Sequence, residues 1–248
     1  MSISRDTGLT SSLIFLTLFG IAMGFLEAAV VVYLRELYYP EGFAFPLKRM
    51  AIEKLSIEYL REFSTIAMLF SLSIVAGKNF PERLSIFLYS FGIWDIFYYV
   101  WLKVLLDWPS SLLTWDILFL IPVIWVGPVL APIICSITMI GVAGCILYFN
   151  QKGYPVKIRL SEWILFLSGA VIIFITFVWD YSRIVIEGRF ISNFMVLGTN
   201  PASQEIIAQY IPASYNWTLF ALGEMIIFLS VLLLWRRIKN YRMNEDTA

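Results

Sequence analysis

Six runs of about twenty apolar residues constrain this chain more than any other feature of it. A helix needs about 20 such residues to cross the roughly 30 Å hydrocarbon core of a bilayer. Inside that core only helices or closed barrels satisfy their own backbone groups. The runs fall at about 13–37, 57–77, 84–106, 128–149, 162–179 and 215–235. The prediction is an all-α, polytopic helical membrane protein with six transmembrane helices in a single integral membrane domain over residues 1–248. Composition agrees: 60% of residues are hydrophobic and 15% charged, where soluble domains are nearer a quarter charged. The polar start MSISRDTGLTSS precedes a run too long for a signal-peptide core, and no small-residue cleavage site follows. The first run is therefore expected to be an uncleaved helix.

Two segments fit less simply. Leu47, Met50, Ala51, Leu55, Tyr59, Leu60 and Phe63 recur at helical spacing among charges, which predicts an interfacial amphipathic helix over about 47–62 leading into the second span. Its Glu58, Arg61 and Glu62 are expected at the membrane boundary, as a local ion pair on a solvated face. The stretch 112–126 is apolar but only fifteen residues long, about 22 Å as a helix and too short to span. Ser110 or Ser111 can cap it and Pro122 and Val126-Gly127-Pro128 end it, so a short outer-face or re-entrant helix is predicted. An outer loop over 180–214, with a short helix in ASQEIIAQYI, and a tail over 236–248 complete the outline.

Charge counting orients it. With six spans and the N-terminus inside, about ten Lys and Arg lie inside and about six outside. Making 112–126 a seventh span leaves about five inside and eleven outside. The positive-inside rule favours six spans with both termini cytoplasmic, and the cell inner membrane is the expected location.

Net charge is zero, so no field favours nucleic acid. Histidine is absent, which removes the usual haem ligand, the imidazoles of copper and di-iron sites and the commonest general base. Cys135 and Cys145 lie ten residues apart in one apolar run, about 15 Å of helix, too far for a disulfide. They read as packing residues, and haem, iron–sulfur and zinc are not expected. No nucleophile motif, phosphate-binding glycine loop or paired CxxC is present.

Chemistry is expected where charge enters the apolar runs, because a charge at the bilayer centre costs at least about 2.5 kcal/mol on insertion scales. Glu27, Asp95 and Glu224 come to one depth near the midplane. Each has a glycine close by, Gly20 and Gly24, Gly92, and Gly223, and small residues let helices approach closely. With no base at their level, these acids are expected to hold protons or bind a cation, and an oxygen-only site suits Na⁺, Ca²⁺, Mg²⁺ or Mn²⁺. A second group, Lys103, Asp107, Asp116, Asp180 and Arg61, is expected to line an outer cavity above them. The leading reading is membrane transport, or ion or proton translocation through a carboxylate-lined site. The alternatives are a non-catalytic transmembrane subunit of a larger complex, and an intramembrane carboxylate or divalent-metal enzyme acting on a lipid or polyprenyl substrate. Expected partners are the lipid bilayer, a proton or a monovalent or divalent cation, and either other membrane subunits or a second copy of the chain.

Overall fold

In the computed structural model of the chain, residues 3–48, 50–154, 156–187 and 210–245 are described. The order is α1 (Ile3–Tyr38), α2 (Ile52–Ala76), α3 (Phe80–Leu106), β1 (Trp115–Phe119), β2 (Trp125–Pro128), α4 (Leu130–Gln151), α5 (Leu160–Glu187) and α6 (Trp217–Glu245). Among the described residues six helices are long and apolar enough to cross a membrane, as the runs predict. Phe15, Phe63, Val75 and Phe228 are more than half exposed on their outward faces, the surface that lipid would cover.

α3 is the central helix, packed against α1 and α4 and less extensively against α2, while α5 packs against α6. Asn79 caps its start by accepting the Glu82 N–H at 3.0 Å, and Asp107 ends it in the left-handed region at φ 50°. Two glycines set its crossings. A Cβ on Gly24 of α1 would stand 3.0 Å from the Trp94 carbonyl oxygen and the Tyr98 nitrogen. A Cβ on Gly92 would stand 2.7 Å from the Ser136 carbonyl oxygen of α4. The helix backbones therefore touch, and the acids beside these glycines are carried into the interior. At the opposite end Arg237 of α6 grips Glu162 of α5 through two bonds of 2.8 and 2.9 Å.

The stretch 112–126 departs from its prediction. It forms no helix; Trp115–Phe119 and Trp125–Pro128 pair as an antiparallel hairpin. A short apolar run does not separate strand from helix by periodicity, and its Trp, Ile, Val and Phe residues suit a pleated surface, with Pro122 in the connecting turn. Its backbone is satisfied at both ends. The Val129 N–H reaches the Thr114 carbonyl and the Leu130 N–H the Leu112 carbonyl, at 3.0 and 2.7 Å. Trp125 stacks on Phe177 of α5, ring centroids 6.0 Å apart.

The predicted interfacial helix over 47–62 is not a separate element. Leu47, Lys48, Met50 and Ala51 are non-helical, and α2 runs from Ile52 to Ala76 without a break. Leu47 and Met50 look like a helix face in sequence because they turn inward together, to line a cavity. At the C-terminal side α5 continues through Asp180 to Glu187, and α6 continues through the basic tail to Glu245. The segment ASQEIIAQYI lies almost wholly outside the described residues.

Candidate functional site

A cavity of about 230 Å³ lies among the C-terminal half of α1, the N-terminal half of α2, the middle of α3 and the hairpin. All four elements meet at the end of the bundle where α1 stops and α2 starts. The cavity is lined by five carboxylates, Glu27, Glu58, Glu62, Asp95 and Asp116, and by three cations, Arg35, Lys48 and Arg61. At 1.5 Å per residue, Glu27, Glu62 and Asp95 stand about 14–17 Å from the nearer ends of helices long and apolar enough to span a membrane.

Contrary to the expectation that no base reaches Glu27, two arginines hold three of the acids, because the Arg61 side chain extends along α2 to meet it. Arg61 pairs with Glu27 and, through Nε at 2.8 Å, with Glu58; the Thr65 hydroxyl also donates to Glu27. Arg35 Nη2 lies 3.2 Å from Asp116 Oδ1, and the Tyr99 hydroxyl donates to Asp116 Oδ2 at 3.3 Å. The Arg35 guanidinium sits between two rings, 3.7 Å from the Trp108 centroid and 4.6 Å from that of Phe43. Its Nη1 is buried without an acceptor, so the π faces are its environment.

Among the described residues the other two acids make no ion pair, although the Arg61 charge acts on Glu62. Both oxygens of Glu62 accept the Leu120 N–H, at 2.9 and 3.1 Å. That bond satisfies a donor just past β1 and ties α2 to the hairpin. Asp95 accepts from the Ser136 hydroxyl at 2.7 Å, and no ion pair to it is recorded among the described residues. Lys48 is exposed at the rim, where its N–H donates to the Tyr39 hydroxyl at 2.7 Å. Burial pushes the Tyr39 phenol above its ordinary range, against that bond and the Arg35 charge.

The cavity thus joins two of the three midplane acids, Glu27 and Asp95, with two of the outer group, Arg61 and Asp116. Glu224 is elsewhere: its Oε2 accepts from Thr138 of α4 at 2.8 Å, and it does not line the cavity. Equal depth did not mean equal direction, since α4 stands between. Lys103 and Asp107 pair with each other at 2.6 Å, with half or more of each side chain exposed, and Lys103 holds the Asp107 carboxyl below its usual range. Asp180 accepts from the Tyr210 hydroxyl at 3.4 Å, also away from the cavity lining.

Glu58 and Glu62, expected at the membrane boundary, are cavity residues instead, and Arg35 lines the cavity with them. Glu58 and Glu62 are only 5% and 7% exposed, so their face is interior rather than solvated, although the local Arg61–Glu58 pair is present. The signal was there: Glu58, Arg61, Glu62 and Thr65 repeat at i, i+3, i+4 and i+7, a polar stripe running into an apolar helix. Among the described residues no three His, Cys, Asp or Glu side chains converge as a metal-ligand set. No family model, curated protein or solved structure matches the chain.

Proposed function

We propose that the protein is a transport protein that moves a positively charged species, a proton or a cation, through the Glu27–Glu62–Asp95–Asp116 cavity. One observation carries the reading: among the described residues no ion pair is made to Asp95 or Glu62 in the cavity, and Asp95 stands clear of both arginines, which pair with Glu27, Glu58 and Asp116. An unneutralised carboxylate at that depth is costly unless it holds a proton or meets a cation. Asp95 is the central group, because among the described residues its one side-chain partner is the Ser136 hydroxyl, which leaves lone pairs for a third party. The hairpin supports the same reading, since non-helical backbone at membrane depth is tolerated where it lines a cavity. On the positive-inside count this cavity opens to the outer face of the inner membrane, opposite the basic end of α6.

Flux tests it. In proteoliposomes with trapped proton- and Na⁺-sensitive dyes, the wild type is expected to dissipate an imposed gradient of at least one of these ions. Asp95→Asn is expected to slow it at least tenfold while remaining monodisperse, and Glu224→Gln, outside the cavity, to leave it unchanged. Wild-type flux no greater than that of empty liposomes for protons, Na⁺ and small organic cations alike, or full flux in both Asp95→Asn and Glu62→Gln, would sink the reading. Orientation is tested separately. With Cys135 and Cys145 replaced by alanine, single cysteines at Lys152 and Asn240 are expected to resist membrane-impermeant thiol reagents in intact cells. Labelling at both would invert the topology.

A further inference from the structure

The shape and lining of the cavity bear on which cation it takes. A single water-sized occupant needs about 10–15 Å³, and this cavity offers about 230 Å³. A bare inorganic ion would leave most of it empty. The donors are equally unsuited to such an ion. Ca²⁺ wants six to eight oxygens, whereas four of the five acids here are already tied to Arg61, Arg35 or the Leu120 N–H. Asp95 lines the cavity together with several rings: Trp94 and Tyr98 neighbour it along α3, and Tyr59 and Phe119 belong to the same lining. One carboxylate with several aromatic faces is the arrangement that recognises substituted ammonium groups. Trp94 is 6% exposed and its indole Nε1 has no acceptor, a donor suited to a ligand that also carries a hydroxyl or carbonyl oxygen. Leu34, Leu55 and Ile117 supply an apolar wall for a hydrocarbon body.

Building on the transport reading above, we propose that the cargo is a small organic ammonium ion, its charged nitrogen held by Asp95 among the aromatic rings and its body on the Leu34–Leu55–Ile117 wall. A ligand that binds only the folded state raises the melting temperature with concentration, so the full chain purified in detergent reports binding directly. The probes are choline and benzyltrimethylammonium, against 3,3-dimethylbutan-1-ol, the uncharged isostere of choline, and NaCl at matched ionic strength. At least one ammonium probe is expected to give a saturable rise that neither control gives. Asp95→Asn is expected to raise the half-saturating concentration at least tenfold, and Glu224→Gln to leave it unchanged; each variant's own transition reports whether it is folded. An equal rise with the isostere means apolar filling and overturns the proposal. A rise with NaCl alone, or dye-reported flux with no ammonium response, overturns it and leaves the transport reading standing. Neither flux nor any thermal response overturns both.

Discussion

Asp116→Ala is expected to cost about 3–5 kcal/mol of stability, the usual penalty for leaving a buried charge unpaired. At 2–4 °C per kcal/mol for a chain of this size, the melting temperature should fall by roughly 6–20 °C. The cost falls on Arg35. Arg35 is 8% exposed, its guanidinium lies against the Trp108 and Phe43 rings, and Asp116 is its ion-pair partner among the described residues. The two residues stand 81 positions apart, so their pair fastens the hairpin to the end of α1 and closes one wall of the cavity. Arg35→Met combined with Asp116→Leu removes both charges and keeps apolar volume against the two rings. That double variant should recover most of the loss, because desolvation of a buried pair offsets much of its attraction. Thermal unfolding of Arg35→Met, Asp116→Leu and the double variant closes a thermodynamic cycle. Asp116→Ala within about 0.5 kcal/mol of wild type would mean that the hairpin does not seal Arg35 from water.

The membrane helices were legible because twenty consecutive apolar residues admit few alternatives. The hairpin was not. WDILF fits helix and strand alike, and what decides between them is remote: Glu62 on α2 takes up the Leu120 N–H and Phe177 on α5 covers Trp125. Glu27 and Asp95 could be singled out as charges in apolar runs. Glu224 shared their depth, and depth carries no azimuth; the hydroxyl it meets belongs to Thr138, whereas Asp95 meets Ser136 two residues earlier on α4. Arg35 resembled an ordinary interfacial arginine because its partner arrives only when the hairpin folds back. Glu58 and Glu62 were set at the boundary because hydropathy starts the second span near residue 57, whereas the helix itself starts at Ile52. Charge in an apolar run finds a site, and periodicity within a polar stripe gives its direction.

Gly92 and Gly141 should respond to alanine with opposite signs. In an exposed helix interior, glycine to alanine is worth about 0.5–1 kcal/mol in favour of alanine, and at Gly141 a Cβ would meet nothing within 4 Å. Gly141→Ala should therefore stabilise. At Gly92 the same Cβ would lie 2.7 Å from the Ser136 carbonyl oxygen and 2.8 Å from Ile140. A backbone oxygen on a packed helix cannot swing aside, so α3 and α4 must part. Gly92→Ala should destabilise despite alanine's propensity, and Gly92→Val should cost about 3 kcal/mol, the upper end for overpacking. The contact also bears on the site. Gly92 and Asp95 share a face of α3, and Ser136 both touches the first with its carbonyl and donates its hydroxyl to the second. Widening the crossing stretches that 2.7 Å bond, so Gly92→Val should lose flux even at a temperature where it remains folded. Ser136→Ala separates the causes, since it removes the hydroxyl and leaves the crossing intact. If Gly92→Ala stabilises as Gly141→Ala does, α3 and α4 do not touch there, and Asp95 is held by something other than Ser136.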